Sequence, residues 1–173
     1  MTRVRVALRG AGVVQGVGLR PAVLRAALRA GVAGFVRNAG GALCVEAEGD
    51  AAQVEAFVAA VTGLVPGAVW SQEARSPQGA VGFVIAESDA GAATGVPLPP
   101  DAAPCADCLA EVLDAGSRRA GYAFTSCTRW GPRWTVARSA PWDRARTSMA
   151  PFVLCVACRA EYEAVDDRRA HAQ

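Results

Sequence analysis

The architecture of this chain follows from residues 35–46, which read Phe35-Val-Arg-Asn-Ala-Gly-Gly-Ala-Leu-Cys-Val-Glu46. Two short runs of strand-forming residues, 35–38 and 43–46, flank an Ala-Gly-Gly sequence whose composition is typical of a tight turn. The stretch therefore predicts a β-hairpin. Cys44 falls inside the second strand, where we expect it to be a small buried hydrophobic side chain.

A strand and a helix precede the hairpin. In residues 3–9, two valines and a leucine share one face and three arginines share the other, as in a half-buried strand. Pro21 lies where a helix tolerates proline, in its first turn, and Gly31 is placed to end that helix. The apolar face of this helix is formed by Leu24, Ala27 and Leu28.

A second helix and two further strands follow the hairpin. Asp50 is a helix N-cap with Gln53 in the capping-box position, and residues 54–61 carry the apolar stripe of an amphipathic helix. Strands are expected near 68–75 and 80–86. The resulting order, strand–helix–strand–strand–helix–strand, is that of the ferredoxin-like, split β-α-β arrangement, so we predict an α+β fold.

Composition and charge exclude several classes of protein. Of the 173 residues, 52% are hydrophobic and 20% are charged, so the chain is not intrinsically disordered. No apolar run approaches the ~18 residues of a membrane span, and the N-terminus lacks the hydrophobic block of a signal peptide. We therefore expect a cytoplasmic protein without membrane contact. The net charge of +2 arises from eighteen arginines balanced by acids along the whole chain, which argues against nucleic-acid binding.

The C-terminal part contains an internal repeat. A linker rich in Gly, Pro and Ala at 91–104 separates a first domain, residues 1–90, from two zinc-finger-like repeats at 105–173. Five identities of cysteine, glutamate and arginine at a constant offset of fifty positions define the repeats. Cys105, Cys108, Glu111, Arg118 and Arg119 recur as Cys155, Cys158, Glu161, Arg168 and Arg169. We expect the two arginine pairs to be solvated or helix-terminal charges rather than a nucleic-acid patch.

The cysteine spacing predicts metal binding. The first C-x-x-C pair is followed by a third cysteine after eighteen residues, which is the spacing of a structural zinc site. Trp130 stands where a fourth thiolate is expected, and the second repeat offers only its C-x-x-C pair. The predicted metal ligands are Cys105, Cys108, Cys127, Cys155 and Cys158.

Several groups could complete the coordination of a metal. The candidates are Asp107, water, His171, or the sharing of one ion between the two C-x-x-C pairs. His171 is the one histidine of the chain, and we expect it at the surface near a frayed terminus rather than at a metal.

A glycine-rich loop joins the first strand to the first helix and reads Gly12-Val-Val-Gln-Gly-Val-Gly-Leu-Arg20-Pro21. Glycines at 16 and 18 let successive backbone N–H groups converge into an anion-binding nest beside the free donors of a helix N-terminus. Arg20 can add a bidentate fork to the same oxygens. The alternative is a glycine-rich turn with a solvated arginine. For Asn38, the alternative is a residue that caps a strand or favours the turn after it.

Two motifs resemble those of acylphosphatases: Val14-Gln-Gly-Val-Gly-Leu-Arg20 and Gly34-Phe-Val-Arg-Asn38. The resemblance covers residues 3–90 and implies hydrolysis of a carboxyl–phosphate anhydride without a metal, a cofactor or a covalent intermediate. It further implies that Arg20 and the loop bind the phosphoryl group, while Asn38 positions the attacking water. The phosphate-binding residues that it implies are Gln15, Gly16, Val17, Gly18, Leu19 and Arg20, with Leu19 replacing the usual phenylalanine.

The remaining residues resemble the finger region of hydrogenase maturation carbamoyltransferases, the HypF family, which also begin with an acylphosphatase-like domain. The matching stretches include Pro100-Asp-Ala-Ala-Pro-Cys105, Gly131-Pro-Arg133, Asp143-Arg144 and Arg168-Arg-Ala-His171. The resemblance implies a complete enzyme that uses carbamoyl phosphate and ATP to carbamoylate a cysteine of a carrier protein. For the residues present, it implies structural zinc, hydrolysis of carbamoyl phosphate to carbamate, and other hydrogenase maturation proteins as partners.

Two other interpretations stay open at the level of sequence. One is a zinc-binding module that docks a partner protein and has no turnover. The other is a remnant or a piece of a longer protein. Arg20 and Asn38 favour the enzyme, whereas Trp130 and the incomplete second repeat favour the remnant.

Overall fold

The computed structural model describes residues 2–89, 101–140 and 143–172. Among these, the first part contains β1 (Arg3–Ala11), α1 (Leu19–Ala30), β2 (Ala33–Ala39), β3 (Ala42–Asp50), α2 (Ala51–Thr62), β4 (Val69–Arg75) and β5 (Phe83–Ile85). The second part contains α3 (Ala106–Leu113), α4 (Val156–Glu163) and the 3₁₀ turns Trp134–Val136 and Arg144–Arg146. Residues 91–100 of the expected linker lie outside the described residues. In the described ranges, no helix combines the length and apolar character needed to cross a membrane.

The strands form one sheet in the order β4-β1-β3-β2-β5. All neighbours pair antiparallel except β2 and β5, which run parallel. The first four strands and both helices follow the ferredoxin-like order, so the predicted fold class is confirmed. The strand expected near 80–86 is present as the shorter β5, which lies at the edge of the sheet beside β2. Gly82, with φ of +70°, turns the chain directly before it.

The helices α1 and α2 share one hydrophobic core with the sheet. Phe57 of α2, Val23 of α1 and Leu43 of β3 are completely buried there. The predicted capping box is present at the start of α2, where the Asp50 backbone N–H donates to Gln53 Oε1 at 3.1 Å. These contacts fix the orientation of α1, and therefore of the loop that precedes it.

Two expectations about burial are wrong. Leu28 is 59% exposed, because it lies on the side of the last α1 turn that faces away from the sheet. Cys44 is only half-buried, because Leu43 and Val45 point into the core and strand alternation places the cysteine on the opposite face. Its Sγ lies 3.4 Å from an Arg9 guanidinium nitrogen.

A buried carboxylate anchors the connection between β4 and β5. Glu48 on β3 accepts the backbone N–H groups of Gln78 at 2.7 Å and Gly79 at 2.9 Å, and it forms an ion pair with the Arg3 guanidinium at 3.3 Å. The Gln78 N–H is the main reason that the pKa of Glu48 is lowered, since it bonds to the charged form. The connection is therefore held by an ionised side chain.

Candidate active site where the finger region meets the first domain

The loop at residues 12–18, here called the phosphate loop, runs from β1 into α1. Gly16 and Gly18 have φ of +71° and +69°, and Gly18 is the N-cap of α1. These left-handed conformations favour glycine, and they place the loop backbone at the helix N-terminus as the sequence predicts. A Cβ at Gly18 would lie 2.6 Å from the Cβ of Thr128, so the loop also packs tightly on the finger region, defined here as residues 105–172.

Two buried amides line the cavity beside this loop. Gln15 and Asn38 are each 2% exposed. Within the described part of the chain, neither the oxygen nor the nitrogen of the Gln15 amide has a hydrogen-bond partner, and the same is true of Asn38 Oδ1. Since buried polar atoms are nearly always paired, these amides indicate a place for water or a polar ligand.

Arg20 in the first turn of α1 lines the same cavity. One guanidinium nitrogen donates to Ser88 Oγ at 3.2 Å, and the other forms an ion pair with Asp143 of the finger region. The two charged side chains are 18% and 23% exposed. The structure thus brings Arg20, Asn38 and the phosphate loop together, with a carboxylate opposite the cation.

The finger region supplies the other wall of the cavity. Its lining residues are Thr128, Arg133, Asp143, Arg144, Tyr162, His171 and Ala172. The cavity has a volume of about 40 Å³, room for roughly three waters. It therefore suits a small polar ligand and is far below the roughly 300 Å³ at which drug-sized pockets begin.

Arg133 joins the two walls. It is 6% exposed, and its Nε donates to the carbonyl of Gly16 at 2.7 Å while Nη2 donates to the carbonyl of Cys127 at 2.7 Å. The backbone N–H of Arg133 also bonds to Asp101, inside the expected linker. Burial lowers the pKa of Arg133, and the nearby Cys127 and Asp101 oppose that shift. The side chain holds the phosphate loop against the finger.

His171 and Tyr162 form a ring pair in the cavity wall. Their ring centroids are 4.9 Å apart, and the His171 N–H donates to the Tyr162 carbonyl at 2.9 Å. Burial lowers the pKa of His171, and the Arg20 charge lowers it further. The expectation that His171 lies at the surface near a frayed terminus is therefore wrong, because the ring is half-buried against Tyr162 at the candidate site.

Three of the five predicted metal ligands come together. The Sγ atoms of Cys105, Cys108 and Cys127 all lie within 4.8 Å of one another, against roughly 3.8 Å in an ideal tetrahedral zinc thiolate site. The donor set therefore fits zinc with one position left for another ligand. Burial raises the pKa of Cys108 to about 12, and the backbone N–H of Cys108 lowers that of Cys105.

The second C-x-x-C pair does not join this cluster. In the described ranges, Cys155 and Cys158 belong to no group of three or more metal-ligating side chains, so the idea of one ion shared by both pairs is not supported. Asp107 also lies outside the cluster and pairs with Arg168 at 3.6 Å. His171 lies at the cavity described above, so it does not complete the cysteine cluster.

The arginine pairs cross between the repeats. Arg118 of the first repeat lies 3.1 Å from Cys158 Sγ and 2.5 Å from Glu161 in the second. Arg168 of the second lies 3.5 Å from Cys108 Sγ and is ion-paired with Glu111 in the first. The expectation of solvated charges is wrong for Arg119, Arg168 and Arg169, because the repeats pack face to face and these side chains bind the other repeat's glutamate. Arg118 remains 39% exposed.

Sequence reasoning missed the residues that the finger region contributes to the site, among them Asp143 and Tyr162. The segment Asp143-Arg144 stood out only as part of a family motif, with no role attached. A single sequence carries no signal that would place a residue 123 positions away opposite Arg20.

Comparisons with known proteins agree with this geometry. The acylphosphatase family model matches residues 6–77, and the HypF finger model matches residues 105–137. Carbamoyltransferase HypF of Rhodobacter capsulatus is 48% identical over 172 residues, covering 96% of this chain and 22% of that protein. Carbamoyltransferase HypF2 of Cupriavidus necator is 43% identical over 158 residues, covering 88% and 20%. A crystal structure of full-length HypF in the phosphate- and nucleotide-bound form has a TM-score of 0.88 at 35% identity, covering 99% of this chain and 23% of that one.

The fold and the matched motifs define an acylphosphatase domain followed by a HypF finger. The chain spans about a fifth of the length of the curated relatives it matches. It belongs to the HypF carbamoyltransferase family and is homologous to the N-terminal region of those proteins.

Proposed function

We propose that this chain hydrolyses acyl phosphates, with carbamoyl phosphate as the substrate, in the cavity between the phosphate loop and the finger region. The observation that carries the proposal is the convergence of Arg20, Asn38 and the loop glycines on one small cavity. The unpartnered amides of Gln15 and Asn38 support it, because a polar ligand or water would satisfy them.

The residues present suit phosphoryl transfer to water. The loop N–H groups and Arg20 hold the phosphoryl oxygens, and Asn38 Oδ1 accepts a hydrogen bond from the attacking water. The water oxygen bonds to phosphorus as the bond from phosphorus to the carboxyl oxygen breaks, and the electron pair leaves with carbamate. The water protons remain with inorganic phosphate, so carbamoyl phosphate dianion and water give carbamate and dihydrogen phosphate. The rate acceleration comes from positioning the reactants and stabilising the charge of the transition state, and no cofactor is needed for the hydrolysis.

The three-cysteine cluster has a separate, structural role in this proposal. Cys105, Cys108 and Cys127 would hold zinc, and the metal would stabilise the finger that forms one wall of the cavity. Cys155 and Cys158, the two other predicted ligands, lie across the repeat interface beside Arg118.

In this proposal, hydrolysis is the first step of a longer reaction. The homologous proteins are named carbamoyltransferases, and this chain corresponds to their N-terminal fifth. Carbamate made here would be the product passed to a later transfer step, with other hydrogenase maturation proteins as partners. We also propose a cytoplasmic location for the chain.

One observation favours the alternative of a non-catalytic docking fragment. Arg20 is ion-paired with Asp143, so the cation that should bind phosphate already has an anionic partner. A measurement of acyl phosphate turnover distinguishes the hydrolase from the docking fragment.

The test is release of inorganic phosphate from carbamoyl phosphate and acetyl phosphate by the purified chain, measured against spontaneous hydrolysis. We expect hydrolysis that continues in the presence of a metal chelator for as long as the protein stays folded, which circular dichroism monitors in parallel. Rates equal to the spontaneous reaction, with a folded protein, would favour the docking fragment.

A further inference from the structure

Among the positions at which the two finger repeats differ, one structurally equivalent pair bears on the candidate site. In the first repeat the Gly121 N–H donates to the Val112 carbonyl at 2.9 Å, and in the second the His171 N–H donates to the Tyr162 carbonyl at 2.9 Å. The sequence offset of fifty relates the members of each pair. The same backbone contact therefore carries valine and glycine in one repeat, and two aromatic rings in the other.

The histidine occupies a conformation that favours glycine. His171 has φ of +52°, and Gly121 has φ of +67° at the equivalent place. In the described residues, His171 is the only non-glycine residue with a positive φ. Such a conformation is strained for a residue with a Cβ, and strain of this kind concentrates at functional sites.

Both aromatic rings belong to the wall of the candidate site. Tyr162 and His171 line the cavity that contains Arg20 and Asn38. At the equivalent place in the first repeat, a Cβ added to Gly121 would meet no atom within 4 Å. Of the two equivalent backbone contacts, the one that carries the rings therefore lines the cavity, and the one with valine and glycine does not.

We propose that Tyr162 and His171 form the acyl-side wall of the site and restrict it to acyl phosphates whose acyl group has only a few non-hydrogen atoms. The inference rests on the proposed function. If the phosphate loop takes the phosphoryl end, the finger residues that line the cavity, Tyr162 and His171 among them, are left to meet the acyl group. With both rings present the cavity is about 40 Å³, room for roughly three waters, so we expect the rings to limit the size of the acyl group.

The first repeat supplies the variants that test this wall. Tyr162→Val and His171→Gly replace each ring by the residue that the equivalent backbone already carries, and glycine relieves the positive φ of position 171. The double variant should therefore keep its fold. Tyr122→Val is the matched control, since Tyr122 is an exposed tyrosine outside this cavity.

The measurement is kcat/KM for acetyl phosphate and for benzoyl phosphate. We expect the unaltered chain and the control to prefer acetyl phosphate strongly, and the double variant to lower that preference about tenfold or more. Melting curves should show that the variant is folded. The inference would be overturned if the folded double variant kept its substrate preference unchanged within about twofold. Efficient hydrolysis of benzoyl phosphate by the unaltered chain would overturn it as well. Both results would leave the proposed function intact. Absence of hydrolysis of both substrates by the unaltered chain would overturn both.

Discussion

Arg20 and Asp143 form an ion pair that joins the acylphosphatase domain to the finger region. The pair lies in the wall of the candidate site, and both side chains are largely buried. The carboxylate occupies a position of the guanidinium that a phosphoryl oxygen would need for a bidentate contact. The proposed phosphate binding by Arg20 would therefore be linked to the contact between the two parts of the protein through one side chain.

Replacing Asp143 should strengthen the binding of inorganic phosphate. Asp143→Asn removes the negative charge that competes with the anion for Arg20, and we expect the Kd for phosphate to fall by about three- to tenfold. Isothermal titration calorimetry measures the change. Asp166→Asn, at an exposed carboxylate outside the cavity, should leave the Kd as it is. A weaker or unchanged Kd for Asp143→Asn would contradict the competition.

Restoring a fourth thiolate should tighten zinc binding. Trp130 follows Cys127 at the spacing of a zinc ligand, and its carbonyl accepts the Cys127 N–H at 2.9 Å, so the turn is formed. We expect Trp130→Cys to raise the zinc affinity by about tenfold or more. Competition with a chromophoric chelator measures it. Trp134→Cys adds a cysteine at an exposed tryptophan nearby and should have no such effect; equal affinities for the two variants would argue against the cysteine cluster as the zinc site.

Breaking the ion pairs between the repeats should destabilise the finger. The Arg169 side chain is 10% exposed and bonds to Glu111 at 2.6 Å. Arg169→Ala leaves that carboxylate without one of its cations, and we expect a loss of about 1–3 kcal/mol in the free energy of unfolding. Urea denaturation in the presence of a chelator provides the value.

The control for that experiment is Arg159→Ala. Arg159 forms an exposed i,i+4 pair with Glu163 at 3.6 Å, which contributes at most about 0.5 kcal/mol. Equal losses for Arg159→Ala and Arg169→Ala would show that the contact between repeats adds nothing specific.

The buried carboxylate of Glu48 predicts a pH dependence of stability. The folded state lowers its pKa below the ordinary value of 4.5, chiefly through the Gln78 N–H. The unfolded chain therefore binds the proton more tightly, so the stabilisation is complete above the ordinary pKa and is lost as the pH falls through the lower, folded-state pKa. Glu48→Gln should lower the urea midpoint at pH 7, and the difference from the unaltered chain should shrink below about pH 4.5. The exposed Glu55→Gln is the control; a difference that does not change with pH would contradict the role of the charge.

Local patterns predicted much of the first domain. The alternation in β1, the Gly-Gly turn between β2 and β3, and the capping box of Asp50 and Gln53 are determined by near neighbours in sequence, and the structure contains all three. The partial exposure of Cys44 also follows from local alternation, since it lies between the buried Leu43 and Val45. The edge position of β5 depends on which strands become neighbours, and strand composition does not encode that.

The candidate site was predictable only in part for the same reason. Arg20 and Asn38 lie in motifs that mark them within a few residues. Asp143 and Tyr162 act through contacts across more than a hundred positions, and the cross-repeat arginines depend on how the two repeats pack. Sequence periodicity revealed the repeat but not the face that each copy presents to the other.

The most direct test of the central claim is the kcat of carbamoyl phosphate hydrolysis for Arg20→Ala and Asn38→Ala. Arg29→Ala, at the exposed end of α1, is the control. We predict a fall of about 10²- to 10³-fold in kcat for each of the first two variants, since each removes a group that stabilises or orients the reacting atoms, and full activity for the control. Hydrolysis that survives both substitutions in folded protein would contradict the account.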